Sequence, residues 1–383
     1  FSMADPRVAE LRSLVSDHLS PYYDTYFNLL RWIQGNPDLP IEKVADRLRL
    51  NLHYRNSSWD VDSVHLKKRG YHPLHQYWPG TRCGPSGVIP NCIVHMEQAG
   101  HVDFEGIFDN FPVTEIIKAC CHTVEEMLAD VMKMEAETGQ QAHIMFVIDA
   151  EGLEYSKKLF DLAMKSMKAL ADSLSDHYTE LISSIAVVNA PSWANVLWSM
   201  VKSLLPERTR AKIHMLSSSN WRDEIKSLMD PSIGPTFWND ENHKDFKKVM
   251  VRPRKIPTVE RKKHPEKLDQ LIVKAGNEHS LEFNMNEGDE LRFHFTGDSN
   301  FGFTIVMKEN KSNDDVLSMR QAYPFFPFVP GPLSVPIEDS VVATQDGIHK
   351  VWFSNSKAWW SSLTIQHSFK VIRNNNESEH TFL

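Results

Sequence analysis

Residue types able to do covalent chemistry occur throughout this 383-residue chain, but not at the spacings that chemistry uses. Ser86 lies in Gly84-Pro85-Ser86-Gly87, which lacks the Gly-x-Ser-x-Gly elbow of a strand-to-helix nucleophile and reads as a turn. His65, His72 and His75 have no carboxylate or cysteine at ligand spacing, so they read as surface-loop residues and no metal is expected. Cys83, Cys92, Cys120 and Cys121 form neither paired CxxC motifs nor a disulfide framework, which fits a reducing compartment. No GxGxxG, GxxxxGK[ST] or HExxH is present. The expectation is a protein that is not an enzyme and carries no cofactor, so its site should be one of binding.

Charge narrows the partner. A formal net charge of -8 argues against nucleic acid. Yet between Lys244 and Lys267 ten Lys/Arg face three Asp/Glu, giving +7 locally and -15 elsewhere (-8 minus +7). At an anionic membrane surface such residues contribute about 1 kcal/mol each, which makes Lys247, Lys248, Arg252 and Arg254 candidates for peripheral docking. A solvated basic linker is the other reading. No apolar run approaches the ~20 residues of a membrane span, and residues 1–6 lack the basic-then-apolar pattern of a secretory signal. A cytoplasmic location, peripheral to membranes, is expected.

Hydrophobic periodicity supplies the scaffold. Residues 8–19, 24–34 and 41–52 read as short amphipathic helices, and residues 70–87, rich in Pro, Gly and His, as an irregular connector. Residues 88–96 predict a strand and 112–139 a long helix closed by Gly139; His143 to Asp149 is a fully apolar central strand. A helix over 156–174 follows. Ile185 to Val188 is a second buried strand, ended by Asn189, Ala190 and Pro191. From Ala194 the apolar positions Val196, Leu197, Met200, Val201, Leu204 and Leu205 recur at helical spacing until Pro206. Lys212 to Leu216 begins another strand, so the unit is a parallel βαβ with an oily crossover helix. A short helix over 220–229 completes this part. Beyond the basic segment the period changes to two: Leu281, Phe283 and Met285, then Leu291, Phe293 and Phe295, then Leu363, Ile365 and Phe369, each alternating with polar residues. That pattern predicts an all-β antiparallel sandwich.

The stretch around Tyr178 with Glu180, Val187 to Pro191, Trp198 with Val201, Lys202 and Leu205, and then Thr209, Lys212 and Ile213 resembles the CRAL-TRIO lipid-binding family. Leu29 to Trp32 resembles the Leu-Leu-Arg-Trp signature of its N-terminal helical region, and His143 to Asp149 with Gly152 its central strand. Asp346 to Val371 resembles the end of a Golgi-dynamics (GOLD) domain, although Ile348 and Ser354 depart from the usual residues. The resemblance implies an N-terminal helical cap over 1–69, an α/β CRAL-TRIO domain over 70–240, a basic linker over 241–267, a GOLD β-sandwich over 268–375 and a tail over 376–383.

It also implies a site. Glu180, Thr209 and Lys212 stand where phosphatidylinositol-transferring members hold the headgroup: a Lys for phosphate, a hydroxyl to orient it and a carboxylate for sugar hydroxyls. A structural Glu180–Lys212 ion pair is the alternative. Asn36 and Pro37 replace the family's supporting basic pair. Ile144 and Phe146 replace its choline-phosphate hydroxyls, leaving with Ile148 and Val187 an apolar pocket floor. Val196, Leu197, Met200, Val201, Leu204 and Leu205 would form the gate, unless that helix simply faces a core. Burying ~30 methylenes at ~0.8 kcal/mol each is worth about 25 kcal/mol, so a carried lipid must be covered in water and released at a membrane. The function implied is transfer of a phospholipid or neutral lipid. The alternative is a lipid-regulated trafficking or signalling adaptor docking protein partners through the GOLD domain, with a possible Golgi location.

Overall fold

The computed structural model describes residues 5–204, 207–257, 267–308 and 315–374. Two units divide the chain: Phe1–Asp46, Val61–Ile107 and Ile116–Thr258 form the first, and Arg47–Asp60, Phe108–Glu115 and Val259–Leu383 the second. The expected tail over 376–383 lies outside the described residues.

Helices α1 (Arg7–Val15), α2 (Tyr26–Gly35) and α3 (Ile41–Arg55) open the chain. Thr25 caps α2, its hydroxyl accepting from Asn28 N at 3.1 Å. The first unit is then built on a five-stranded sheet of β1 (Gly80–Pro85), β2 (Cys92–Glu97), β3 (His143–Asp149), β4 (Ile182–Val188) and β5 (Ile213–Met215), in that spatial order. β1 is antiparallel to β2, and the remaining pairs are parallel. Parallel strands require crossovers, supplied by α4 (Phe104–Asn110) and α5 (Val113–Thr138) between β2 and β3. Between β3 and β4 run α6 (Lys157–Leu162), a π-helical turn (Ala163–Met167) and α7 (Lys168–His177). Helices α8 (Ser192–Val201) and α9 (Glu207–Ala211) join β4 to β5, and α10 (Trp221–Lys226) follows.

Several expected boundaries move. The strand expected from residue 88 starts at Cys92, because Pro90 has no N–H to donate and Asn91 takes a left-handed φ of 50°. The stretch expected as irregular contains β1, an edge strand bulged between Arg82 and Gly84. Arg31 in α2 is buried against Glu135 of α5 and donates to the Ala142 carbonyl at 2.8 Å, which ties the N-terminal helices to the start of β3.

One face of this sheet is a dense core. Val94, Met96, Met145, Val147, Ala186 and Val188 pack on Trp221, Ile225, Met229, Trp238 and Phe246, all buried. Asp149 closes it: its carboxylate accepts from Trp238 Nε1 (2.7 Å), Asn189 Nδ2 (3.0 Å) and Glu151 N (3.0 Å).

The second unit is a β-sandwich. Strands β6 (Asp269–Val273), β7 (Glu278–Met285), β8 (Glu290–Gly297), β9 (Phe301–Lys308), β10 (Arg320–Val329), β11 (Ile337–Val342), β12 (Gly347–Ser354) and β13 (Leu363–Ile372) form two antiparallel sheets, β10-β9-β12-β7 and β11-β8-β13-β6. Between them the rings of Phe293, Phe295, Phe303 and Phe353 interlock, with Phe295 and Phe303 centroids 4.7 Å apart. Residues expected in the N-terminal cap join this unit: Trp59 packs edge-on to Tyr323 at 5.9 Å, and Ser58 N donates to the Ala322 carbonyl at 3.0 Å.

Candidate functional site

Alternation along the strands sends Ile144, Phe146, Ile148, Ile185 and Val187 to the opposite face of the first sheet. Ile144 is buried, but Phe146, Ile148, Ile185 and Val187 are only half-buried. An apolar cavity of about 150 Å³ opens on this face, bounded by Phe146 and Ile182 on the strands, Ile116, Ala119, Cys120, Val124 and Met127 on α5, and Leu170 and Leu174 on α7. Of the four pocket residues expected from the sequence, Phe146 lines it directly. Polar contributors are few: His75, Thr123 and Glu97. His75 is held by the Ala119 carbonyl at 2.9 Å, and burial lowers its pKa. Glu97 ends β2 inside this wall, where burial pushes its carboxyl up to about 7 against the indole N–H of Trp78. Burial likewise raises the Cys83 thiol to about 12 and that of Cys92 to about 11, so both are inert as nucleophiles.

The expected gate is α8, continued by a 3-10 turn at Lys202–Leu204. Its surface is not that of a core helix. Val196 is 63% exposed and Met200 61%, while Trp193, Leu197 and Trp198 are half-buried. Only the backbone of Val201 and Leu204 is described, and Leu205 lies outside the described residues. The preceding α6–α7 segment also buries little: Leu170 is its one fully covered apolar residue. It carries the π-helical turn, a local distortion common beside functional sites.

The expected headgroup residues meet in part. Lys212 Nζ donates to Glu180 Oε1 at 3.3 Å and to the Ile182 carbonyl at 3.1 Å. Arg208, which the sequence reading did not single out, reaches the same Glu180 oxygen at 3.2 Å and donates to the carbonyls of Gln34 (2.6 Å) and Gly35 (3.0 Å). Glu180 holds a left-handed φ of 54°, and a Cβ at Gly35 would fall 1.9 Å from Thr179 Oγ1, so α2 must end on glycine here. Thr209 is half-buried nearby in sequence, its carbonyl accepting from Lys212 N at 3.1 Å.

The CRAL/TRIO domain model matches residues 90–239, and a second model, F28H7_8_C-like, C-terminal domain, matches 254–380. Residues 90–239 thus match the CRAL-TRIO family. Among its relatives, the CRAL-TRIO domain-containing protein F28H7.8 of Caenorhabditis elegans is 26% identical over 81% of this chain and 77% of its own length. Protein ctg-1 of the same organism is 21% identical over 97% of both chains. The phosphatidylinositol/phosphatidylcholine transfer protein SFH9 of Arabidopsis thaliana is 25% identical over 59% of this chain and 39% of its own. CRAL-TRIO proteins bind and transfer lipids and are generally not enzymes. The second model bears another name than the GOLD expectation, while the antiparallel sandwich itself is as expected.

Outside the CRAL-TRIO cavity, the basic segment is a strap as far as it is described. Phe246, Lys248, Met250 and Arg252 turn inward and Lys247, Val249 and Val251 outward. Lys248 donates to the Cys83 carbonyl at 2.6 Å. Arg252 stacks on Phe237 at 3.6 Å and donates to Gln98 Oε1 at 3.1 Å. Arg254 N donates to the Gln76 carbonyl at 2.9 Å. A free linker is therefore not what residues 244–257 form, and of the docking candidates Lys247 faces outward beside Asp230. No local pattern announced this, since charged Lys248 and Arg252 turn inward while apolar Val249 and Val251 turn outward. Sequence reasoning also missed Glu97, which matters through its place on the cavity wall, and read Asp149 only as the end of its strand motif.

Proposed function

We propose that the protein sequesters a hydrophobic ligand, a phospholipid such as phosphatidylinositol or a neutral lipid, on the open face of its five-stranded sheet and exchanges it at membranes under α8. The observation that carries this is the apolar cavity behind Phe146, set in a sheet face whose strand residues are left half-buried. An ordinary core would cover Phe146, Ile148 and Val187, as the other face covers its residues. Exposed Val196 and Met200 give α8 an apolar outer surface able to meet a bilayer, and Lys247 beside Val249 and Val251 adds a basic-apolar edge. Among the described residues no helix is long and apolar enough to cross a membrane, so contact would be peripheral.

Glu180, Arg208 and Lys212 form a charged cluster that a phosphate would enter by taking cations from Glu180, and the name of the SFH9 relative supports phosphatidylinositol as the first ligand to test. Lys212→Ala should weaken phosphatidylinositol binding at least tenfold, about 1.4 kcal/mol, if it holds the phosphate. In the double variant Lys212→Met with Glu180→Leu, wild-type phosphatidylinositol affinity would reduce the cluster to a structural ion pair and favour a neutral lipid. The decisive experiment is mass spectrometry of co-purifying lipid, followed by transfer between vesicles.

A second reading, a lipid-regulated adaptor, draws on the sandwich. Trp359 and Trp360, in the loop between β12 and β13, are 85% and 92% exposed, a surface suited to a protein partner. Lipid binding without vesicle-to-vesicle transfer would favour the adaptor.

A further inference from the structure

One group in the cavity is at odds with its surroundings. Glu97 faces a space walled by Phe146, Ile116, Val124, Met127 and Leu170. Its hydrogen-bonding neighbour is the Trp78 indole N–H, and no Lys or Arg pairs with it among the described residues. From α5 it faces the Cys120 thiol, which the carboxylate helps burial to push up. Thr123 and His75 share the wall, but the Ala119 carbonyl engages both, at 3.3 and 2.9 Å. A carboxyl offers about four acceptor sites, or one O–H and the remaining acceptors when protonated. Glu97 is half-buried, and one indole leaves most of that capacity open toward the cavity, where the polar end of a ligand can complete it.

We propose that Glu97 anchors the polar end of the ligand, so that the cavity selects a neutral lipid bearing a hydroxyl group, inserted hydroxyl-first, over an anionic or purely hydrocarbon chain. This deepens, and rests on, the lipid-binding reading. A hydroxyl donates to the carboxylate and accepts from the protonated acid, so it satisfies Glu97 in either state. An anion is repelled by the carboxylate, and a hydrocarbon leaves it unpaired. An ether, which can only accept, needs the protonated acid.

The test uses the full chain loaded with the neutral dye Nile red, displaced by dodecan-1-ol, 1-methoxydodecane or dodecane. In the wild type the alcohol should bind about tenfold more tightly than dodecane, the range of a hydrogen bond to a charged group. The ether's affinity should fall as pH rises through about 7, where Glu97 ionises, while the alcohol's should not. Glu97→Leu should erase the alcohol preference and leave dodecane affinity intact. Glu97→Gln, which keeps size and hydrogen bonding, should retain the preference and remove the ether's pH dependence. Equal affinities for alcohol and dodecane in the wild type, or a preference preserved in Glu97→Leu, would overturn the anchor and leave lipid binding standing. Should the Leu variant fail to fold, the Gln variant decides: an ether pH profile unchanged from wild type overturns the proposal. A wild type that takes up neither the dye nor any chain would instead overturn the lipid-binding reading.

Discussion

The two faces of the five-stranded sheet are built from the same kinds of residue and treated differently. On one, Met145, Val147, Ala186 and Val188 are sealed beneath Trp221, Trp238 and Phe246, whose rings meet edge-on at 5.0 and 5.4 Å. On the other, Phe146, Ile148, Ile185 and Val187 stay half-buried beside a cavity. Strand formation explains neither difference, since a parallel strand needs apolar residues on both sides. What differs is the covering layer. The aromatic segment after β5 packs at protein density, whereas α6 to α8 leave room. The first face thus carries stability, and the second is left open for the ligand proposed above.

The strongest test of that division is a matched pair of truncations. Trp238→Ala removes a fully buried indole and should cost about 3–5 kcal/mol in denaturant unfolding. Phe146→Ala should cost about 1–2 kcal/mol, since its ring is already partly uncovered, yet release bound lipid faster. Equal losses of stability would mean that both faces are core. Next in size is Asp149→Ala, which leaves the Trp238 indole, the Asn189 amide and the Glu151 N–H without their buried acceptor. We expect a loss of about 2–3 kcal/mol with ligand affinity unchanged in the folded fraction.

An effect spread over a pH window sharpens the comparison further. Glu97, on the open face, is raised from an ordinary 4.5 to about 7, so between those values the native state holds a proton that the unfolded chain has released. Its contribution is fully present below about 4.5 and is lost as pH rises through 7, with a slope of about 1.4 kcal/mol per pH unit. Glu97→Gln should remove that slope, so its stability relative to wild type should climb across this window and level off above it. His122, lowered to about 3 chiefly by burial, acts in the other direction and costs stability as pH falls below 6.5. Parallel pH–stability curves for wild type and Glu97→Gln would place Glu97 in water.

Much of this architecture was legible in the sequence because it depends on periodicity. His143–Asp149 is the strand expected, with the same ends, and the long helix lies within one residue of its expected limits, closed by Gly139 at φ 67°. Of the four residues expected on the pocket floor, Phe146 lines the cavity. What could not be read depends on three-dimensional neighbours. β1 reads Gly-Thr-Arg-Cys-Gly-Pro, poor in strand formers, and exists only because β2 offers an edge. Arg208 joins Glu180 only because α9 returns it to the end of α2. Nothing local distinguishes Glu97 from any exposed glutamate.

The smallest expected change in stability is also the one that bears most directly on exchange. Val196 and Met200 lie one turn apart on α8, both exposed, while Leu197 and Trp198 turn toward cover. If the helix only roofs the cavity, its outer apolar pair contributes nothing in water and nothing at a membrane. If it is the element that meets the bilayer, the pair is buried there and nowhere else. Val196→Ser with Met200→Ser should therefore shift unfolding by no more than about 0.5 kcal/mol, as expected of exposed positions. Apolar burial at the bilayer is worth about 25 cal/mol per Å², so the same double variant should lower vesicle binding and the rate of lipid transfer several-fold while leaving equilibrium ligand affinity unaltered. Transfer at the wild-type rate would move the exchange route away from α8 and leave the exposed pair without a role in it.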